Sequence, residues 1–186
     1  METELQKMLG SELYDAGDSE LMAMRMNARR LFTKYNKTDY DDYEGRKGIL
    51  TELLGSFEGN IDIQAPFYCD YGSHIFAGKN VFMNFNCIIL DCAKVTLGDN
   101  VFMAPNVQLY TAYHPVIASE RIKGPENAAP ITIGNNVWLG GGVIVCPGVT
   151  IGDNTTIGAG SVVINNIPSN VVAVGNPCKV VKRINP

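Results

Sequence analysis

Two hydrophobic periods divide the chain. Leu21, Met24, Ala28, Leu31, Phe32 and Tyr35 recur at three- and four-residue spacing, with Arg25, Arg29, Arg30 and Lys34 between them. That pattern predicts an amphipathic helix, with Asp18 or Ser19 as its N-cap. Ile49, Leu50, Leu53, Leu54 and Phe57 share one face of a second predicted helix, Arg46 to Phe57. The polar stretch from Asn36 to Tyr43 separates the two and caps the second. A short helix from Thr3 to Leu9 is also expected. Residues 1–60 thus read as a helical segment.

Beyond it the period changes. Ile133, Leu139, Val145, Ile151, Ile157 and Val163 stand six residues apart without a break. Gly134, Gly140, Gly152 and Gly158 follow four of them directly, and Val137, Val143 and Val149 recur four residues after each start. The register returns at Leu97-Gly98 and Met103-Ala104, and more weakly at Ala77-Gly78 and Met83-Asn84. A six-residue period is neither helical nor simple strand alternation. It is the signature of a hexapeptide β-helix. Three hexapeptides close one triangular turn of eighteen residues. The aliphatic residue points inward onto its copies in neighbouring turns, and the small residue after it is expected at a corner, where glycine tolerates positive φ. The fold class is therefore mainly β, a solenoid over 61–186 with a helical segment packed on it.

One stretch breaks the period. Residues 111–130 hold three prolines, several charges and His114. An insertion of this length at a corner projects as a loop, and long loops in compact folds are often functional. The tail, 167–186, leaves the repeat and carries Lys179, Lys182 and Arg183.

Composition narrows the chemistry. The chain has 186 residues, 46% hydrophobic and 18% charged, with net charge -4. That is one domain's length, too apolar for disorder and without a basic nucleic-acid footprint. No apolar run is long enough to span a membrane, and the polar start is not a secretory signal. The five cysteines show no CxxC or zinc-like spacing, so they read as reduced thiols of a cytoplasmic protein. With two histidines, a site of three imidazoles is disfavoured, and no metal is expected. His74 reads as structural. His114 is either a surface loop residue or a base placed at the only break in the repeat.

The stretches ELYDAGDSELMAMRMNARRL, PFYCDYGSHIFAGKNVFMNFN, LGDNVFMAPNVQLYTAYHPV, ITIGNNVWLGGGVIVCPGVTIGDN, IGAGSVV and AVGNPCKVVKRI cover nearly the whole chain. Together they resemble the maltose/galactoside O-acetyltransferases, a branch of the hexapeptide-repeat acyltransferases. The resemblance implies a left-handed parallel β-helix, a homotrimer with sites between subunits, and acetyl-CoA as donor to a sugar hydroxyl. It implies neither a membrane nor a nucleic-acid partner.

It also assigns roles residue by residue. His114 matches the catalytic histidine, a general base suited by its ordinary pKa of about 6.5. Asn84 matches a residue that holds the acceptor hydroxyl or the oxyanion. Asp15 and Asp70 match acceptor-binding positions, and Arg25 lines the same pocket; Tyr68 and Tyr113 could pack on sugar rings. Gly141 and Ala159 match positions along the pantetheine arm, with Trp138 in the same wall. Lys179 and Lys182 match positions facing the nucleotide phosphates, with Arg183 adjacent. Two departures stand out. Ile164-Asn165 replaces the usual Thr-Lys of the cofactor site, and Asp91-Cys92 stands where some relatives have two acidic residues. Asp91 is therefore a further acceptor candidate, while Cys92 is not read as a nucleophile. An acyltransferase for an antibiotic or another hydroxylated molecule and a non-enzymatic scaffold are the competing readings; a carbonic-anhydrase-like trimer is disfavoured by the histidine count.

Overall fold

The structure, a computed structural model, describes residues 2–185. Three helices open the chain: α1 (Glu4–Leu9), α2 (Ser19–Lys37) and α3 (Tyr43–Leu53). Each start is capped by a side chain that takes up otherwise free N–H groups. Thr3 and Gln6 form a capping box on α1. The Asp18 carboxylate accepts from Glu20 and Leu21, and that of Asp42 from Gly45.

The third helix ends earlier than its apolar spacing suggests. Leu54 is extended, and a Cβ on Gly55 would lie 2.4 Å from the Ser73 carbonyl oxygen. Ser56–Phe57 then pairs with Phe76–Ala77 as the first rung of the solenoid. Tertiary pairing overrides helical spacing here, and the β-helix begins before residue 61.

From there the chain winds through three parallel sheets. The first face holds Ser56–Phe57, Ile75–Ala77, Val95–Leu97, Ile131–Ile133 and Thr150–Ile151. The second holds Ile61–Ile63, Val81–Met83, Phe102–Met103, Trp138–Leu139, Thr156–Ile157 and Val171–Val174, and Lys179–Arg183 closes it antiparallel. The third holds Phe67–Cys69, Cys87–Leu90, Gln108–Tyr110, Ile144–Val145 and Val162–Val163. Ile63, Met83, Met103, Leu139, Ile157 and Ala173 stack inward in one column, each fully buried. Burying such a side chain contributes about 1.5–3 kcal/mol, so the repeat is the main source of stability.

The turns are not all of one length. Ile133 pairs with Ile151, eighteen residues on. Ala77 pairs with Leu97, Met83 with Met103 and Cys69 with Ile89, each twenty residues on. The two extra residues always lie between the third face and the first, at 70–74 and 91–94. The inserted loop leaves the same corner, so Leu97 pairs directly with Ile133.

The small residue of each hexapeptide has a different cause from the one expected. Gly78, Gly98, Gly134, Gly140, Gly152 and Gly158 do not have positive φ. They are small because the next turn leaves no room: a Cβ on Gly134 would lie 2.3 Å from the Asp153 carboxylate, and one on Gly140 2.6 Å from the Ala159 nitrogen. Positive φ falls two residues later, on Asn80, Asn100, Asn136, Asn154 and Asn170 at the first-to-second corner. Their side chains form a ladder, each Nδ2 donating to the next Oδ1 at 2.9–3.1 Å. The ladder offsets the strain of the left-handed conformation.

The helices cover the lower end of the solenoid. Leu31, Tyr35, Ile49, Leu50 and Leu53 close its core. Asn36 pairs with the Phe67 backbone as a strand would, donating to its carbonyl and accepting from its N–H, both at 2.9 Å. Arg46 donates to the Ile63 carbonyl. The edge that a solenoid would leave open is thereby satisfied.

Candidate active site

The third-to-first corner carries the titratable groups. Asp70, Cys92 and the loop with His114 come from successive levels of that corner, and α2 packs against it. Together they enclose a cavity of about 430 Å³ lined by Arg25, Arg29, Asp70, Cys92, Tyr113, His114 and Glu126. The loop is a structured ribbon: Ala112–Tyr113 pairs antiparallel with Asn127–Ala128, and a short helix, α4 (Ala118–Arg121), caps its tip.

The ribbon is tied to the start of the chain. Tyr14 and Glu126 exchange backbone N–H···O bonds at 3.0 Å, and the Tyr14 hydroxyl donates to Glu126 Oε2 at 2.8 Å. Glu126 Oε1 then lies 4.0 Å from His114 Nε2. His114 Nδ1 lies 3.3 Å from the Pro125 carbonyl. An Nδ1–H donating there leaves the Nε2 lone pair free as a base, with a carboxylate beside it for the imidazolium.

Arg25 and Asp70 are thus brought to His114, as is Tyr113. Arg25 donates to the Tyr71 hydroxyl at 2.7 Å and to the Ala16 carbonyl. Asp70 accepts from the Cys92 thiol, Sγ to Oδ2 at 3.4 Å. Burial pushes the Asp70 carboxyl up, while Cys92 and Arg25 pull it back. Burial, with Asp70 beside it, pushes the Cys92 thiol up, so it stays protonated.

Other candidates lie elsewhere. Asp91 cannot contact an acceptor, because it is fully buried and its carboxylate accepts from the N–H groups of Asp70, Tyr71 and His74. It organises the corner. His74 is structural, its Nδ1 2.7 Å from the Asp91 carbonyl. Asp15 lies outside the His114 cavity. It lines a neighbouring hollow with Glu4, Lys7 and Lys123, and its carboxylate accepts from Gly17. Tyr68 packs edge-on against Phe32, also away from the cavity.

Asn84 sits on the second-to-third corner, one face away from the base of the same chain. That corner is a column of small residues: Asn84, Ala104, Gly140-Gly141-Gly142 and Gly158-Ala159-Gly160. Each level donates its N–H to the next, from Asn84 to Met103, Ala104 to Leu139, Gly140 to Ile157 and Gly158 to Ala173. Nothing stands over Gly142 or Gly160, and over Gly141 only the Pro105 carbonyl approaches, at 3.5 Å. The column is an open track on which an extended thiol arm can lie against backbone. Exposed Trp138 flanks it, and exposed Lys179, Lys182 and Arg183 stand in the strand at its upper end. These residues fit the pantetheine and phosphates of an acyl-CoA. Ile164 and Asn165 do not join them, lying on the third-to-first corner.

Sequence reasoning passed over Glu126 and Arg29. Glu126 follows His114 by twelve residues in a segment without period, and no spacing marks it. Among the described residues no group of three or more His, Cys, Asp or Glu could hold a metal, all five cysteines are free, and no helix is long and apolar enough to cross a membrane.

Comparison with known proteins agrees with this geometry. Residues 7–59 match the maltose acetyltransferase hexapeptide capping motif, and residues 130–165 match six bacterial transferase hexapeptide repeats. A putative acetyltransferase of Saccharomyces cerevisiae is 51% identical over 97% of this chain and 92% of its own length. The crystal structure of a maltose O-acetyltransferase from Clostridium difficile superposes with a TM-score of 0.97 at 51% identity, covering 99% of this chain and 98% of that one. A galactoside acetyltransferase in complex with coenzyme A superposes with a TM-score of 0.96 at 40% identity, covering 100% and 92%.

Proposed function

The chain belongs to the maltose/galactoside O-acetyltransferase family of hexapeptide-repeat acyltransferases and is an acetyltransferase, and from that premise we propose that it transfers acetyl from acetyl-CoA to a sugar or glycoside hydroxyl. The observation that carries this reading is His114, its Nε2 beside Glu126 at the mouth of a polar cavity. Asp70, Glu126, Arg25 and Arg29 give that cavity both donors and acceptors at several points, which suits a polyol.

The acceptor hydroxyl attacks the thioester carbonyl as His114 Nε2 takes its proton. The carbonyl π electrons move to oxygen and form a tetrahedral oxyanion. Its collapse breaks the C–S bond, and the imidazolium returns the proton to the leaving thiolate. Asn84 Oδ1 is occupied by the Phe85 N–H at 2.8 Å, which leaves the Asn84 amide NH₂ free to donate to the oxyanion. Glu126 favours the transient imidazolium.

The base and the acyl-CoA track lie on different corners of one chain, so the site is complete only when a neighbouring copy supplies the other half. The outward residues support such an assembly. Phe102 and Trp138 on the second face and Tyr68 on the third are 42–54% exposed, whereas the first face presents Thr96, Thr132 and Thr150. A homotrimer closes this arrangement by symmetry. In it, Ile164-Asn165 of one copy faces the track of the next.

Two measurements test the reading. Free-thiol release from acetyl-CoA is followed across maltose, glucose, galactosides and non-sugar alcohols; sugar-dependent release is expected, and release confined to non-sugar alcohols would reassign the acceptor. His114→Ala and Asn84→Ala chains are then refolded together. Each is expected to be nearly inactive alone, and the mixture to recover activity through sites that draw one intact half from each chain. A mixture as inactive as its components sinks the shared site.

A further inference from the structure

Cys92 is the thiol of the cavity, and the acetyl-transfer steps leave it without a task. It lies at the junction of two packing units. Its side chain is 4% exposed and belongs to the satellite core with Met8, Tyr14, Leu21 and Tyr71, yet it also lines the cavity beneath His114. From that place it donates to Asp70 Oδ2. The other Asp70 neighbours are unequal substitutes. Arg25 from α2 spends its contacts on Tyr71 and Ala16. Asp91 behind it and Glu126 across the cavity are both carboxylates and oppose its charge. The thiol is therefore the side chain that hydrogen-bonds the Asp70 carboxylate. It occupies one Oδ2 lone pair and holds the group toward the cavity with its remaining lone pairs open.

We infer that Cys92 is a positioning residue for the acceptor, acting through Asp70: its thiol donates to that carboxylate and keeps it aimed at the acceptor hydroxyls. The inference rests on the acceptor reading of the cavity. A thiol suits the task because it is small, donates a single hydrogen and stays protonated in this burial. A carboxylate at 92 would place a further negative charge against Asp70, and an aliphatic residue would leave Asp70 without its donor.

The test compares Cys92→Ala and Cys92→Ser with the wild type by two independent readouts. The first needs no turnover: the Asp70 carboxyl is titrated by NMR in carbon-labelled protein and assigned with Asp70→Asn. Losing a donor to the ionised form raises a carboxyl pKa, so the Ala variant is expected to titrate higher and the Ser variant to return near the wild type. The second is kinetic. The Ala variant is expected to lose roughly tenfold in acceptor kcat/KM, mostly through KM, with its acid limb moved to higher pH and the KM for acetyl-CoA unchanged. The Ser variant restores both. Identical Asp70 titration in all three proteins overturns the inference whatever the activity. If the titration shifts as expected while no sugar is acetylated by the wild type, the thiol–carboxylate pair stands and the acceptor reading fails, and with it the pair's link to acceptor binding. Equal losses in Ala and Ser with a lowered Tm assign Cys92 to packing alone.

Discussion

Two corners of the same solenoid do opposite work. The second-to-third corner repeats one solution at every level: a small residue under the next turn, an N–H bonded upward, an open outer surface. The third-to-first corner repeats nothing. It takes two extra residues in the lower turns, a ribbon of about twenty in the middle, then a six-residue step and, at the top, a four-residue one. The first corner yields a groove that, Asn84 apart, works through its backbone, which fits a long cofactor arm. The second yields a pocket whose members are each aimed by a separate contact, which is what bond-making needs. Regular stacking supplies the frame, and departure from it supplies the site.

The sharpest way to separate the two is to remove His114. His114→Ala is expected to lower kcat by about 10²–10⁴-fold, the usual range for a general base, with Tm within a degree or so of the wild type because the ring is half exposed. Stopped and steady-state thiol release with a melting curve checks both halves. A large fall in Tm would mean that the ribbon is part of the frame after all.

The converse change strikes the frame. Leu139→Ala empties one rung of the inward column between Met103 and Ile157. A cost of about 2–5 kcal/mol is expected, as for buried Leu→Ala elsewhere, read by urea denaturation. The base cavity is built on another corner, so Nε2 alkylation of His114 should proceed at the wild-type rate in the folded variant. A changed rate would show that the corners are mechanically coupled.

How much of this was legible follows from the same contrast. Stacking enforces a residue type at every sixth position, so Ile133 to Val163 announce the solenoid, and Asp18 announces a helix start. The reason for the glycines was misread, because the backbone of the next turn is invisible in a period. Helix α3 overran to Phe57 for a similar reason, since the pairing of Ser56–Phe57 with Phe76–Ala77 is non-local. At the irregular corner the break in the period marks His114, and only resemblance points to Asp70. Glu126 is set by the pairing of its backbone with Tyr14, over a hundred residues away, and leaves no local mark. Asp91 looked like a ligand because burial cannot be read from a dipeptide.

A smaller effect is expected at the asparagine ladder. Asn136 has φ +56° and bonds the asparagines above and below it. Asn136→Ala loses both bonds and places an L side chain in the left-handed region, a cost of about 2–3 kcal/mol. Asn136→Gly loses the bonds but relieves the strain, and about 1 kcal/mol is expected. Chemical denaturation of both variants separates the two contributions. Equal losses would mean that the ladder carries the corner and the backbone strain is negligible.

Asp70 bears on the comparison most finely, because the irregular corner keeps a partly buried carboxylate that a pure scaffold would discard. Burial is the largest influence on it and raises its pKa in the folded chain above the unfolded value. The sign follows by linkage. A carboxyl whose folded pKa is raised favours the fold while protonated, and that contribution is lost as pH rises through the folded pKa. Once ionised, above its folded pKa, Asp70 therefore costs stability. Asp70→Asn removes the charge and keeps the shape, so the variant is expected to melt about 2–4 °C higher than the wild type at pH 7, as a difference near 1 kcal/mol gives in a chain of this size. The gap should close as pH falls below the folded pKa of Asp70, where both side chains are neutral. Acceptor KM should rise in the same variant. A wild type that melts above Asp70→Asn at pH 7 would mean that the thiol and Arg25 outweigh burial, and the pocket would then be a stabilising element rather than one held against the fold's own preference.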